Sequence, residues 1–309
     1  MTQITASMVK DLRERTGAGM MDVKNALTEA NGDMEEATKV LRKKGLAAAS
    51  KKAGRVTAEG AVVAHVEGNT GVLVEVNCET DFVGRNENFQ SFAREIAKVI
   101  AQSKAETVDE LMNETWPADA EGLTVAQKVS EAIASIKENI SVRRFARYVA
   151  PSNGASINAY IHAGGKIGVM VEVVTEEGDA GDKARELAKD IAMHVAALEP
   201  RFLRREDVTE KDLETEREIA REQAAKSGKP ENIVEKMVSG KMEKFYGEAC
   251  LLEQPYIRDD KSTVAQYVGK QAKEHGCKYV VTRFTRYKLG EGIEKRSDDF
   301  AAEVASYMK

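Results

Sequence analysis

The stretch Gly71-Val72-Leu73-Val74-Glu75-Val76 has a near copy in Gly168-Val169-Met170-Val171-Glu172-Val173, and this pair decides the predicted fold. Each is a short apolar run rich in valine, which is the composition of a buried strand. Two further pairs of similar segments follow in the same order: 92–97 with 187–192, and 144–148 with 283–287. An internal repeat of this kind indicates two copies of one structural unit.

Each copy has the same predicted order of elements: strand, turn, strand, helix, further helix and closing strand. Short turns between apolar runs favour antiparallel pairing, and helices then cover one face of the sheet. The predicted fold class is therefore α+β, with two repeated subdomains at 56–148 and 149–287, each with an antiparallel three-stranded sheet and helices. His65 and His162 stand six residues before the two glycines. We interpret them first as structural residues at equivalent strand positions.

The segment Thr80-Asp81-Phe82-Val83 lies between a predicted strand and a predicted helix at 87–102. Such loops run over the surface, so a phenylalanine there has two interpretations. Phe82 either packs beneath the loop as a small satellite core, or protrudes beside Asp81 as an apolar wedge that opens a packed site on a partner. The segment 175–179, at the matching place in the second unit, is merely polar.

Residues 1–55 are predicted to form a module of three short helices followed by a basic linker. Gly17-Ala18-Gly19 marks the first turn. The third helix is predicted to end at Arg42-Lys43-Lys44-Gly45, with basic residues that favour a helix C-terminus, which leaves Lys43–Arg55 as a solvated hinge. Met20-Met21 follows the first turn, and adjacent methionines either fill a core or dock a partner.

The second unit carries an insert at 204–244, in which 21 of 41 residues are charged. Apolar residues recur at helical spacing on both sides of Gly228 and Pro230, which predicts an inserted helical hairpin. The hairpin is either a solvated arm or a contact arm for a partner or a second copy of the chain. Residues 288–309 are predicted to hold a C-terminal helix, which docks on its own core or on a partner.

Composition excludes several classes of protein. The 309 residues include 46 basic and 51 acidic side chains, and this net charge of -5 argues against nucleic acid or a membrane as the main partner. Three distant cysteines indicate a reducing compartment and no disulfide framework. No apolar run has the length of a membrane span, and the N-terminus has no signal-peptide pattern. We therefore expect a cytoplasmic protein.

Catalytic motifs are missing from the sequence. It has neither a phosphate-binding Gly-x-x-x-x-Gly-Lys-Ser/Thr loop nor a Cys-x-x-Cys pair. His194 lies on a predicted helix face among apolar residues, which favours a packed core histidine. His275 and Cys277 flank Gly276, but no third group that would orient them is apparent. We predict a binding protein with no catalytic residue, no metal site and no cofactor.

Two longer motifs resemble those of a known family. Leu12-Arg13-Glu14-Arg15-Thr16-Gly17-Ala18-Gly19-Met20-Met21-Asp22 resembles the N-terminal signature of the elongation factor Ts family, and Asn77-Cys78-Glu79-Thr80-Asp81-Phe82-Val83 resembles its second signature. The resemblance covers essentially the whole chain, including Gly228-Lys229-Pro230 and Gly290-Glu291-Gly292-Ile293-Glu294-Lys295. The family pattern often has cysteine and lysine where this chain has Val23 and Asn25.

This resemblance implies a guanine-nucleotide exchange factor for the GTPase elongation factor Tu in its GDP-bound form. It implies that Thr80, Asp81, Phe82 and Val83 shift a helix beside the magnesium site of the GTPase and dislodge the ion. Further expected contacts with the GTPase are Arg13, Met20, Met21 and Lys24 in the N-terminal module and His162 in the second unit. Direct contact with nucleic acid or membrane is not expected. A homodimer through the helical hairpin is a further predicted assembly.

Two other classes of function fit parts of the sequence. The three N-terminal helices also resemble a ubiquitin-associated module, so the chain could be a non-enzymatic adaptor that binds small folded domains. An adaptor would not need the Asp81-Phe82 pair, which discriminates between the two interpretations. An undetected hydrolase that uses Cys277 or a histidine is the enzyme alternative, and a turnover assay with thiol-blocked protein would test it.

Overall fold

The computed structural model describes residues 4–117, 119, 121–151, 154–176 and 181–294. In these residues it contains eleven α-helices and three small antiparallel sheets, which confirms the predicted α+β class. The predicted C-terminal helix, which begins near Ser297, lies outside the described residues. Among the described helices, none is both long and apolar enough to cross a membrane.

The N-terminal module contains three helices: α1 (Ala6–Thr16), α2 (Met20–Glu29) and α3 (Met34–Lys52). The side chain of Thr5 accepts a hydrogen bond from the backbone N–H of Met8 and caps α1. The module has its own small core of buried residues: Leu12, Val23, Ala26, Leu27 and Ala37. Its likeness to a ubiquitin-associated module stays a prediction.

Helix α3 is longer than predicted, so the expected hinge at Lys43–Arg55 is helical up to Lys52. Gly45, which we interpreted as a helix end, is a buried helical residue. A Cβ built on Gly45 would lie 3.3 Å from the Cβ of Ala134, because the helix packs closely against the first unit there. The glycine therefore permits close packing between two helices and does not end one.

The first unit is built from seven elements. They are β1 (Glu59–Glu67), β2 (Thr70–Cys78), α4 (Asp81–Gly84), α5 (Glu87–Gln102), α6 (Val108–Asn113), α7 (Val125–Ile136) and β3 (Ile140–Val149). The sheet order is β1-β2-β3, and both strand pairs are antiparallel, as predicted. The outward face of this sheet is covered mainly by α5 and α7, whose buried residues share one core with β2 and β3.

The second unit repeats this plan with additions. It contains β4 (Ala155–His162), β5 (Ile167–Thr175), α8 (Gly181–Leu198), α9 (Glu210–Ala225), α10 (Glu231–Ala249), β6 (Pro255–Tyr256), β7 (Asp259–Thr263), α11 (Val264–His275) and β8 (Tyr279–Lys288). Its main sheet has the order β4-β5-β8, again antiparallel. The short β6-β7 pair was not predicted from the sequence. Its two strands are too short and polar to show a strand pattern.

Strand pairing shows how closely the two units correspond. Glu75 pairs with Arg144 and Glu172 pairs with Arg283, and in both sheets the register shifts immediately after the glutamate. The hairpin loops differ, however. In the first unit, two loop residues (68 and 69) connect the last paired residues of the hairpin. In the second unit, four loop residues (163–166) connect them.

The difference in loop length overturns one prediction. His65 pairs with Val72, and the matching pair in the second unit is Tyr160 with Val169. His162 instead pairs with Ile167, nearer the turn. The predicted equivalence of the two histidines was therefore wrong, because counting along the sequence ignores two additional loop residues.

The two main sheets pack against each other through their inner faces. A Cβ built on Gly71 would lie 2.4 Å from Cγ2 of Ile157, and one built on Gly168 would lie 2.4 Å from Cγ1 of Val62. Each glycine thus makes room for a side chain of the other unit. The two sheets approach this closely because neither position carries a side chain.

Helices α9 and α10 form the inserted arm and pack against each other. Gly228 has a φ of 65° in the connection, and Pro230 precedes α10. At the base of the arm, Arg205 forms ion pairs with Glu243 and Glu253. The C-terminal end of α10 leads directly into the buried core of the second unit.

Candidate functional site

The segment Thr80-Asp81-Phe82-Val83 begins a single helical turn, α4, and does not form the open loop that we predicted. Thr80 has an extended backbone and occupies the N-cap position. Its side-chain oxygen accepts a hydrogen bond from the backbone N–H of Val83 at 3.3 Å. A threonine that begins a helix satisfies an otherwise unpaired donor of the first turn.

The ring of Phe82 points away from the protein, and 83 % of the residue is exposed. The alternative placement, beneath the loop, is therefore excluded in this structure. Val83 takes that inward position instead and packs against the core of the first unit. Within one helical turn, Val83 anchors the backbone while Phe82 is presented to solvent. An exposed ring of this size is the feature that most needs a functional explanation.

Asp81 flanks the exposed ring. Its carboxylate forms an ion pair with the guanidinium of Arg85 at 2.9 Å, one helical turn further on. Solvent reaches both side chains, so this pair contributes little to stability. The end of the turn is held more firmly, because the side-chain amide of Gln90 donates to the backbone oxygen of Gly84 at 2.6 Å.

The start of the turn is held by a residue that the sequence did not single out. Glu138 accepts hydrogen bonds from the backbone N–H of Glu79 at 3.1 Å and of Thr80 at 3.0 Å, and from the Thr80 hydroxyl at 2.6 Å. Beside them, the thiol of Cys78 donates to the backbone oxygen of Thr80 at 3.1 Å. Burial raises the pKa of the Cys78 thiol to about 12, so it stays protonated.

The predicted contact residues of the N-terminal module lie together. Arg13, Met20, Met21 and Lys24 line one open cleft of about 1190 Å³ between the module and helices α5 and α7. Met20 is 59 % and Met21 64 % exposed, so neither fills the core of the module. Core filling, the first of the two interpretations of this methionine pair, is therefore excluded, and docking of a partner stays a prediction.

The opposite wall of the cleft contains aromatic residues that the sequence reasoning missed as surface features. Phe92 and Trp116 stack with nearly parallel rings whose centroids are 6.1 Å apart. Both rings are half-buried and also pack against the core of the first unit. The usable signal was the single tryptophan of the chain, since tryptophan is enriched at binding surfaces.

His162 lies at the end of β4 and does not line the cleft. It is exposed, and its Nδ1 shares a hydrogen bond of 3.0 Å with the hydroxyl of Tyr160. The hairpin that follows it packs on the first unit, because Gly165 lies against Ala61 of β1 and its backbone oxygen accepts from the N–H of Val62 at 2.8 Å. Gly60, the residue before Ala61, also lies against Gly84 at the end of the Phe82 turn.

The remaining histidines have structural environments. His194 is fully buried between the side chain of Gln254 and the backbone N–H of Ile257, as predicted for a packed histidine. Its burial lowers the pKa of the ring. The Nδ1 of His275 bonds the hydroxyl of Tyr279. Within the described residues, no group of three or more histidine, cysteine or acidic side chains is arranged to hold a metal ion.

Comparison with known proteins places the chain among the elongation factors of protein synthesis. The family model described as elongation factor TS matches residues 79–291. Proteins called elongation factor Ts from Trichlorobacter lovleyi and Syntrophotalea carbinolica are each 50 % identical over 307 residues. The alignments cover 98 % of both chains in the first case, and 99 % of this chain and 100 % of the relative in the second. This chain therefore belongs to the elongation factor Ts family.

Proposed function

We propose that this protein is a guanine-nucleotide exchange factor that binds the GDP-bound form of elongation factor Tu and promotes release of GDP in the cytoplasm. Family membership supports the partner and the process. The single structural observation that supports the mechanism is the exposed Phe82 ring on a turn whose backbone is held at both ends. Such a ring is ready to enter a pocket without prior rearrangement.

In the proposed mechanism, Phe82 enters the GTPase beside its magnesium site and shifts a helix there, so that the ion is dislodged. Magnesium neutralises phosphate oxygens, and its loss weakens the binding of GDP. Burying one phenylalanine contributes roughly 1.5–3 kcal/mol, or about one to two decades in an equilibrium constant. Nucleotide and exchange factor weaken the binding of each other equally, because coupling between sites is reciprocal.

A single aromatic contact is not enough for fast exchange, so we propose two further contact regions. The first is the cleft of the N-terminal module, which exposed Met20 and Met21 line together with the basic side chains of Arg13 and Lys24. The second is His162 in the second unit. The three contacts are spread over 1–55, 56–148 and 149–287, which we propose as the domains that bind the GTPase, with 288–309 as a C-terminal module.

The proposed reaction requires binding energy only. No bond is made or broken in the exchange factor, so no nucleophile, cofactor or metal site of its own is needed. Direct contact with nucleic acid or a membrane is likewise no part of the proposal. The adaptor interpretation uses only the N-terminal module, and it predicts that Phe82 is dispensable.

The test is the release of a fluorescent GDP analogue from purified elongation factor Tu, followed by stopped flow. Wild-type protein should accelerate release, and the double variant Asp81→Ala/Phe82→Ala should be at least tenfold slower, about 1.4 kcal/mol. Its unfolding midpoint should barely move, because Phe82 is exposed. Ile257→Ala, which truncates another exposed apolar residue, is the matched control. Unchanged release by the double variant would contradict the proposed mechanism and favour the adaptor.

A further inference from the structure

Helix α4 has only four residues, which is too short to be stable in isolation. The ring of Phe82 cannot hold itself in place either, because it packs against so little of the protein. The direction of the ring is therefore set by the backbone of the turn and by whatever fixes that backbone. At the end of the turn the anchor is Gln90, from the neighbouring helix α5.

At the start of the turn the anchor is Glu138, which is 58 residues away from Thr80 in the sequence. One carboxylate oxygen accepts the N–H groups of Glu79 and Thr80, and the other accepts the Thr80 hydroxyl at 2.6 Å. Hydrogen bonds to a charged carboxylate are shorter and stronger than those between neutral groups. Glu138 thus binds the backbone and the side chain of the capping residue at once.

The contact between Glu138 and the Thr80 hydroxyl also determines how the cap works. A hydroxyl has one proton to donate and two lone pairs that accept. When its proton is donated to Glu138, a lone pair stays available for the backbone N–H of Val83. Without the carboxylate, the hydroxyl is free to rotate and the cap of α4 is weakened.

The turn that carries Glu138 also contacts the N-terminal module. The ammonium group of Lys137 lies 2.8 Å from the carboxylate of Asp22, in the helix that begins with Met20 and Met21. The backbone oxygen of Lys137 accepts from the ammonium group of Lys52, at the end of α3, at 2.6 Å. Lys137 therefore contacts the N-terminal module, while its neighbour Glu138 contacts the start of the Phe82 turn.

We propose that Glu138 is a positioning residue for Phe82, and that the turn Lys137-Glu138-Asn139 holds the Phe82 turn and the N-terminal module in one fixed relation. The proposal rests on the proposed function for its effect on nucleotide exchange. The structural part of the proposal, namely that Glu138 stabilises α4, does not depend on that function. Glu138 itself does not need to touch the GTPase.

The exchange experiment compares Glu138→Ala with Glu106→Ala, which removes an exposed carboxylate from the connection between α5 and α6. Glu138→Ala should lower the maximal rate of GDP release about tenfold, the factor expected for loss of one helix cap. The concentration for half-maximal rate should change little, because the other contact regions stay intact. Glu106→Ala should behave as wild type. If Glu138→Ala lowers the unfolding midpoint, Glu138→Asp, one methylene shorter, replaces it.

A double-mutant cycle separates positioning from a direct contact. In a Phe82→Ala background, Glu138→Ala should change the release rate by less than about twofold, because the residue on which it acts is already absent. A full tenfold loss in that background would overturn the proposal, since it would mean that Glu138 acts independently of Phe82. An unchanged rate for Glu138→Ala alone would overturn it equally.

Hydrogen–deuterium exchange on the free protein tests whether Glu138 stabilises α4. The backbone amides of Val83, Gly84 and Arg85 should exchange faster in Glu138→Ala, while those of β2 remain protected. If wild type does not accelerate GDP release but these amides respond, the proposed function fails and the positioning role stands. If the amides do not respond, Glu138 does not hold the turn, whatever the exchange assay shows.

Discussion

The guanidinium carbon of Arg144, on the closing strand of the first unit, lies 4.3 Å from the ring centroid of Tyr287, on the closing strand of the second. The relationship is reciprocal, because the guanidinium carbon of Arg283 lies 4.0 Å from the ring centroid of Tyr148. Each arginine also binds the buried glutamate of its own sheet, at 2.7 Å in both cases. Cation–π contacts thus link the two sheets in both directions, while an ion pair holds each arginine to its own sheet.

The buried carboxylate of Glu75 makes the stability of this junction dependent on pH. Burial alone would raise the pKa of Glu75, but the N–H of Gly290 and the guanidinium groups of Arg143 and Arg144 together lower it below 4.5. Because the pKa is lowered in the folded state, the charged form stabilises the protein above about pH 4.5, and this contribution is lost as pH falls further. The free energy of unfolding should therefore decline below that pH.

The variant Glu75→Gln tests this dependence. At pH 7 it should lower the free energy of unfolding by about 1–3 kcal/mol, since two arginines lose a charged partner. The difference from wild type should shrink as pH is lowered below 4.5, because Glu75 then takes up a proton first in the unfolded chain and only at lower pH in the folded protein. Urea unfolding at a series of pH values measures both effects. A difference that does not depend on pH would show that the charge of Glu75 is unimportant.

Close packing of the sheets predicts an unusual sensitivity to one methyl group. Gly71→Ala should lower the free energy of unfolding by about 1–3 kcal/mol, because the new Cβ would overlap Ile157 and Met170. Gly269→Ala, on α11, is the control. A Cβ there has no neighbouring atom within 4 Å, so the change should stabilise by about 0.5–1 kcal/mol. Equal effects of the two substitutions would contradict the close approach of the sheets.

Deletion of residues 1–52 tests the proposed role of the N-terminal module. The remaining chain should fold, since the module and the units have separate cores. Its unfolding midpoint should fall slightly, because the contacts between Lys52 and Lys137 and between Arg42 and Glu121 are lost. Affinity for elongation factor Tu should fall at least tenfold, about 1.4 kcal/mol, by calorimetry. Full affinity of the truncated chain would exclude docking through Met20 and Met21.

The arm formed by α9 and α10 should be dispensable for exchange. Replacing residues 214–238 with a short flexible linker keeps Val208 and Met242, both of which are buried at the base of the arm. Most of the exchange activity should remain, and the unfolding midpoint should move by less than about 4 °C.

Light scattering on the same protein tests the predicted homodimer. Loss of a wild-type dimer would support contact through the arm, whereas a mass that is unchanged would exclude it.

A magnesium titration tests how Phe82 acts. With less free magnesium, the rate of spontaneous GDP release from the GTPase rises. The acceleration that Phe82 contributes by displacing the ion should then become smaller. Release rates with wild type and with Phe82→Ala should therefore converge as free magnesium falls. Some acceleration should persist with both proteins, because the other contacts remain. A constant ratio of the two rates at every magnesium concentration would mean that Phe82 acts on something other than the ion.

The elements that could be predicted from sequence are those with strong local patterns. The valine runs predicted β2 and β5, and their repetition predicted two antiparallel sheets. The composition around Phe82 limited its position to two alternatives, of which the structure shows one. In each case the deciding residues are neighbours in the chain, so the pattern is visible without the fold.

What could not be predicted depends on residues that are distant in the sequence. The helical turn at Thr80 depends on Glu138, for which no local motif exists. The cleft requires Trp116 to lie opposite Met20, which only the packing of the module on the first unit brings about. Helix α3 continues past Gly45 because Ala134 lies beside it. Tertiary contacts outweigh local helix-ending signals at such positions.

Gly71 of the first unit faces the second unit, and Gly168 of the second unit faces the first in the same way. The two halves of this chain therefore meet as the subunits of a symmetric dimer do, with the same contact made twice. Two separate identical chains with this interface would necessarily display two copies of every surface feature. Joining the halves covalently removes that constraint, so one half can carry Phe82 while the sequence of the other has only polar residues and glycine at 175–179. A pseudo-symmetric scaffold thereby presents one exposed Phe82 ring per molecule, which is the stoichiometry that the proposed action on a single nucleotide site requires.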